Sequence, residues 1–230
     1  MVLAFGLALF FLFGCQSLER DNVYDPDGMN YVGEGDADKS SSSAVRSSSS
    51  GTASSSSLFV GGSGCSIDGY RTVEIGEQTW MAENLNCEVS GSKCFGNDPV
   101  NCDTYGRLYN WETAKAVCPQ GWHLPSDADW TTLINYVGEA STAGSKLKAT
   151  SGWTSNGNGT DTFGFTALPG GYGDSSGGFD SFVSGGNWWS STKYDTYGVC
   201  YLYMYYGTSE VFRDFNDGSS LISVRCLKDN

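Results

Sequence analysis

The stretch Cys118-Pro-Gln-Gly-Trp-His-Leu-Pro-Ser-Asp-Ala-Asp-Trp130 constrains this chain more than any other, because it ends one helix, turns a corner and starts a second. Proline disfavours helical backbone at the residue before it, so a helix running from about Leu108 to Val117 must stop at Cys118-Pro119. Within that helix Leu108, Trp111, Ala114 and Val117 recur three apart along one side. Ser126 is placed as an N-cap, with Asp129 at the third position in a capping-box arrangement and acidic side chains at the positive helix end. Trp130, Leu133, Ile134 and Val137 then fall at i, i+3, i+4 and i+7, and Gly138 stops the helix.

The remaining elements are strands. Thr72 to Ile75 and Gln78 to Met81 flank Gly76-Glu77, and a glycine at the first loop position suits a type II′ hairpin turn. That turn sets Val73 opposite Trp80 and, extrapolated outward, brings Cys65 close to Cys87. A short helical piece is expected around Ser145 to Ala149. Strand-like runs follow at Asn187 to Ser190, Val199 to Tyr206, Val211 to Phe215 and Leu221 to Leu227. Two main helices and short antiparallel strands set in long loops read as an α+β domain, with no internal repeat.

Four motifs carry a family likeness: Thr72-Val-Glu-Ile-Gly-Glu-Gln-Thr-Trp-Met-Ala-Glu-Asn-Leu85, Tyr105-Gly-Arg-Leu-Tyr-Asn-Trp111, the Cys118 to Trp130 corner, and Ser223-Val-Arg-Cys226. In this order they resemble the Fibrobacter succinogenes major paralogous domain, which is related to the C-type-lectin-like and formylglycine-generating-enzyme folds. The resemblance runs from about Tyr70 to Asp229 and brings no established activity with it. It implies a C-type-lectin-like plan in which the first and last elements meet. In that plan a cysteine at the end of the first helix bonds one in the last strand, the places held by Cys118 and Cys226.

The chain opens on an apolar run, Val2 to Phe13, that is too short to span a bilayer comfortably and reads as a signal-peptide core. Leu12-Phe13-Gly14-Cys15 resembles a bacterial lipobox, which makes Cys15 the lipidation site and the membrane a partner through a lipid anchor. The alternative is a buried N-terminal helix with an ordinary core cysteine, but the adjoining segment is too polar to pack over it. Gln16 is not the aspartate that marks inner-membrane retention in typical lipoproteins, so the resemblance implies the outer membrane or cell surface. From Gln16 to Gly64 the sequence is dominated by serine, with runs at 40–43, 47–50 and 54–57. Such a segment cannot bury enough apolar surface to offset its ordering entropy, and a disordered tether spanning roughly 35 to 40 Å is expected. The organisation is therefore signal and lipobox at 1–15, tether at 16–64 and one domain at 65–230.

Eight cysteines suit an exported protein in which disulfides persist. Setting Cys15 aside leaves seven, an odd number, so one thiol stays outside any intrachain pairing. Cys94 and Cys102 bracket Asn97-Asp98-Pro99, a natural turn that brings them together. The hairpin register pairs Cys65 with Cys87. Cys200, in an apolar aromatic strand, is then left as a buried thiol. A zinc site competes with this reading, but close cysteine pairs are missing and His123 is the only histidine. A copper-binding thiol pair of the formylglycine-generating type competes as well, without the matching active-site motif. The net charge of -13 and pI near 4.3 argue against nucleic acid or anionic lipid as a partner.

Function is less legible. His123 lies in the helix corner, where an imidazole satisfies nearby backbone groups; Ser/His/Asp or Cys/His catalysis would have to centre on it. Asp174, Asp180, Asp195, Asp214 and Asp217 are available for glycoside hydrolysis but form no motif, and no catalytic residue is assigned. Asn156 to Asp161 offers oxygen ligands, and Phe215-Asn216-Asp217 resembles the Trp-Asn-Asp calcium signature of sugar-binding C-type lectins. Asn216 and Asp217 are thus the calcium candidates, against a plain reading of these loops as Asx turns. No other cofactor is expected.

Aromatic residues are the stronger functional signal. Trp188 and Trp189 precede a strand in which alternation sends Tyr201, Tyr203 and Tyr205 to one face and Cys200, Leu202 and Met204 to the other. If the tyrosine face is exposed, these rings form a platform for sugars or a protein partner. The expected function is a surface lipoprotein displaying a C-type-lectin-like binding or adhesion domain for polysaccharide. The alternatives are a structural envelope protein that recognises other proteins, and an oxidase of the formylglycine-generating type.

Overall fold

The computed structural model describes residues 64–230; the signal segment, Cys15 and the serine-rich tether lie outside the described residues. The first strands, β1 (Thr72–Ile75) and β2 (Gln78–Met81), pair antiparallel with Val73 opposite Trp80, and Gly76 turns the corner at φ 65°. That positive φ is the conformation glycine adopts without a Cβ penalty. Then come β3 (Ser92–Lys93), α1 (Pro99–Tyr105), β4 (Leu108–Tyr109), α2 (Trp111–Val117), β5 (Trp122–His123), α3 (Asp127–Val137) and α4 (Ala140–Leu147). The second half holds β6 (Tyr172–Gly173), β7 (Phe179–Asp180), β8 (Gly185–Lys193), β9 (Gly198–Tyr205), β10 (Phe212–Asp217), β11 (Ile222–Ser223) and β12 (Leu227–Lys228). The result is a mixed α+β domain whose sheets run β1-β2-β12-β5, β10-β9-β8-β11-β4-β3 and β6-β7. No helix among the described residues is long and apolar enough to cross a membrane.

The corner folds as its residues require. Ser126 Oγ accepts the N–H of Asp129 while the Asp129 carboxylate accepts the N–H of Ser126, a reciprocal capping box. Trp130, Leu133, Ile134 and Val137 are buried on one side of α3, in a core shared with Trp80, Trp188 and Leu202. The helix expected from Leu108 is shorter than its spacing implies. Leu108 and Tyr109 form β4, held between β3 and β11, and Asn110 caps α2 by accepting the N–H of Thr113. Strand pairing on both sides outweighs the local helix pattern there, which is the way tertiary contacts override propensity.

Two further helices stand where the sequence pattern implies only a turn and a short piece. Asp98 caps α1 with Pro99 in its first turn, inside the Cys94–Cys102 loop. α4 occupies Ala140–Leu147, earlier than the expected Ser145 to Ala149. The closing run Leu221 to Leu227 also divides: β11 joins the large sheet and β12 the hairpin sheet. Three disulfides join Cys65 to Cys87, Cys94 to Cys102 and Cys118 to Cys226; Cys200 lies outside them and is buried.

Between β11 and β12 lies the polar centre of the fold. Arg225 is fully buried and lies over the Phe165 ring at 4.4 Å. Its Nε and Nη2 donate to Asn84 Oδ1 at 3.2 and 2.7 Å, Nη2 also to the Thr166 carbonyl, and Nη1 to the carbonyls of Met81 and Phe165. Every guanidinium N–H thus has an acceptor, although burial pulls its pKa below the ordinary arginine value. Asn84 completes the network by accepting Trp188 Nε1 at 2.8 Å and donating to the Tyr105 carbonyl at 2.9 Å. Gly106 sits against it at φ 75°; a Cβ there would lie 2.9 Å from the carbonyl oxygens of Asn84 and Leu85. Three of the four motifs that carry the family likeness, those holding Asn84, Tyr105 and Arg225, therefore meet at one buried junction.

Candidate functional site

Three strands build the candidate site. β9 is the middle one, paired antiparallel with β8 on one side and β10 on the other. Leu202 and Met204 are buried on its inner face, while Tyr201 and Tyr203, half-buried, and Tyr205, exposed, lie on the outer face. The register sets Phe212 beside Tyr203 and Asp214 beside Tyr201. Rings therefore run across two strands: Tyr203 stacks on Phe212 at 4.9 Å and 17°, and Tyr201 lies 5.8 Å from Tyr203. Tyr205 is 36% exposed and packs against Tyr206 at 4.5 Å. Phe212 was not among the residues named from the sequence. The signal that finds it is the β9–β10 register, because cross-strand partners share a face.

The two tryptophans are not ligand contacts. Trp188 and Trp189 are each 0% exposed, on opposite sides of β8. Trp188 joins the core under α3 and donates to Asn84; Trp189 joins the second core around Tyr109 and Trp111 and donates to the Tyr109 carbonyl at 2.7 Å. Because β8 lies inside the six-stranded sheet with packed elements over both faces, alternation cannot bring either indole to solvent. Trp189 still serves the site from below, edge-on to Tyr201 at 6.3 Å and 84°.

The acidic residues of the loops are engaged in local turns. Asp174 accepts the N–H groups of Ser176 and Gly178, Asp195 those of Tyr197 and Gly198, and Asp217 that of Ser219. Side-chain and backbone donors to the charged carboxylate hold Asp174 below the usual aspartate range, and backbone N–H donors do the same for Asp195 and Asp217. Asp161 likewise accepts the Thr166 N–H and hydroxyl, and Asn158 the Trp153 N–H. The calcium assignment to Asn216 and Asp217 gains no support. Asn216 Oδ1 accepts the N–H of Asp217, and no group of three or more His, Cys, Asp or Glu side chains among the described residues is placed to hold a metal ion.

His123 faces two carboxylates, with Nδ1 2.6 Å from Asp229 Oδ1 and Nε2 3.7 Å from Asp129 Oδ2. Ser126 Oγ donates to that same Asp129 oxygen at 2.6 Å, so a carboxylate stands between serine and imidazole. This is the wrong order for a serine nucleophile, whose hydroxyl must reach the imidazole directly. The cluster instead fastens the C-terminal segment to the start of α3.

β10 forms the free edge of the large sheet. Asp214 Oδ1 accepts the N–H of Phe215, and Asn216 Oδ1 that of Asp217, both at 2.8 Å. Side chains thereby occupy backbone donors that a further strand would need, a standard protection of sheet edges. Arg213, on the inner face, pairs with Asp127 at 2.8 Å and donates to Thr131 Oγ1 at 2.7 Å, which ties the edge to α3.

A family model described as the Fibrobacter succinogenes major domain matches residues 73–228, more than half of the 230 residues. No curated protein and no solved structure matches the chain.

Proposed function

The chain belongs to the Fibrobacter succinogenes major domain family, and from that premise we propose that it is a cell-envelope lipoprotein whose domain recognises neutral polysaccharide on the tyrosine face of β9 and β10. The carrying observation is the ring array Tyr201, Tyr203, Phe212 and Tyr205, with Asp214 on the same face. Aromatic rings stack against the C–H faces of sugars, while a carboxylate accepts their hydroxyls. The net charge of -13 disfavours acidic chains, which leaves uncharged polymers as the matching class.

We read the architecture as C-type-lectin-like. Support comes from β12 pairing with β2, so that the last strand meets the first hairpin, and from the Cys118–Cys226 bridge between the end of α2 and the residue before β12. Display follows from the sequence: signal core, lipidated Cys15 and serine-rich tether would hold the domain off an outer membrane. Polysaccharide is favoured over a protein partner that adds a strand, because the β10 edge carries side-chain caps on its backbone donors. An oxidase reading needs paired thiols, whereas the described residues place six cysteines in disulfides.

Retention of the full chain, solubilised in detergent, on a panel of neutral polysaccharides tests the proposal. The unaltered chain is expected to bind, and Tyr203→Ala and Phe212→Ala to lose binding with all three disulfides intact by mass spectrometry. No retention on any member of the panel would overturn it. Stable capture of an envelope protein, lost in the same variants, would make this face a protein-interaction site instead.

A further inference from the structure

A cleft of about 430 Å³ opens beside the buried Arg225 junction, between the turn Asp68–Arg71, the segment Ala82–Asn86 and the C-terminal end of α1. It involves none of the residues of the tyrosine face. Its floor is rigid: Asn84 is held by Arg225, Trp188 and the Tyr105 carbonyl, and Gly106 packs against it too closely for any side chain. Its walls are polar. On one side Arg71 Nε meets Glu83 Oε1 at 2.7 Å; on the other stand Asp103 and Thr104. Tyr70 closes one end, its hydroxyl accepting the N–H of Asn86 at 2.8 Å.

We infer that this cleft is a second binding site, for a small neutral saccharide. The volume lies in the range of small-ligand pockets, roughly 300 to 1,000 Å³. The lining mixes acceptors (Asp68, Glu83, Asp103), donors (Arg71, Asn86) and a hydroxyl (Thr104), as vicinal sugar hydroxyls require, since each both donates and accepts. Three carboxylates against one guanidinium disfavour phosphate and uronate ligands. The fixed floor reduces the ordering that a ligand would otherwise have to impose. The inference stands apart from the polysaccharide proposal, because a ligand of this size occupies a cleft rather than a sheet face.

Calorimetric titration of the full chain in detergent with glucose, galactose, mannose, maltose and lactose is the test, with glucosamine and galacturonate as charged controls. Saturable binding of a neutral sugar, weakened about tenfold by Asp103→Ala and by Asn86→Ala but unchanged in Tyr203→Ala, is the expected result; tenfold matches the loss of one or two hydrogen bonds. Both altered residues are exposed, so the fold should persist, and an intact disulfide map checks this. Absence of heat with every neutral sugar overturns the inference, as does binding that ignores both cleft variants. Binding of glucosamine alone would make the cleft a cation site and overturn it as well.

Discussion

β8 and β9 are neighbours in one sheet, both aromatic, and they use their rings in opposite ways. In β8 the adjacent Trp188 and Trp189 project to the two sides and are buried on both, each indole donating to a named acceptor. In β9 the alternate Tyr201, Tyr203 and Tyr205 share one face, the first two half-buried and Tyr205 exposed, while Leu202 and Met204 fill the core. The difference lies in position and not in composition. β8 continues inward to β11 and β4 under packed helices, whereas β9 has only the edge strand β10 beyond it. Aromatic residues in the interior of a sheet are buried on both faces; beside its edge they stay partly exposed.

The contrast predicts stability losses on one strand and binding losses on the other. Among single substitutions the largest loss should follow Trp188→Ala, at about 3 to 5 kcal/mol from the cavity alone, with Asn84 Oδ1 also losing a donor. Urea denaturation measures it, and a loss below about 1 kcal/mol would mean that β8 does not lie in a packed interior. Removing the 118–226 bridge with paired serines should cost on the order of 4 to 5 kcal/mol in the chain-entropy model.

Arg225→Met comes next, at roughly 3 kcal/mol, because three buried carbonyls and the Asn84 side chain lose donors that methionine cannot replace. Tyr203→Ala should cost less than Trp188→Ala, since its ring is partly exposed, although it loses the Phe212 stack and the Tyr201 contact. It should nonetheless abolish polysaccharide retention. Equal stability losses for Trp188→Ala and Tyr203→Ala would erase the distinction between the two strands.

The smallest effect concerns the turns. Asp174, Asp195 and Asp217 have folded pKa values below the ordinary one, so their contribution is fully present above the unfolded aspartate range and is lost as pH falls through the lower folded values. Carboxyl NMR titration should show these three midpoints below those of aspartates lacking such donors. Ordinary midpoints would remove the caps from the account.

Much of the local structure was readable from residue order. Gly76-Glu77 between two short strands gives the hairpin and its register, and Ser126 with Asp129 gives the start of α3. The tyrosine alternation on β9 was equally plain. Leu108 and Tyr109 were misread because their spacing suits a helix, while β3 and β11, distant in sequence, claim them for a sheet. The platform was misread in the same way. Trp188 and Trp189 look like ligand contacts until β11 and α3 close over them, and Phe212 enters only through the pairing of β10 with β9.

Sequence alone thus determined whatever depends on neighbours within a few residues: turn chemistry, helix caps, the period-two alternation of a strand and the family motifs. Tertiary structure decided exposure, and with it which aromatic residues are buried on both sides of the sheet and which reach the surface. The physical reason is that backbone preference is set by local sterics and hydrogen bonds, whereas burial is set by whichever segment, however remote along the chain, comes to pack on a given face.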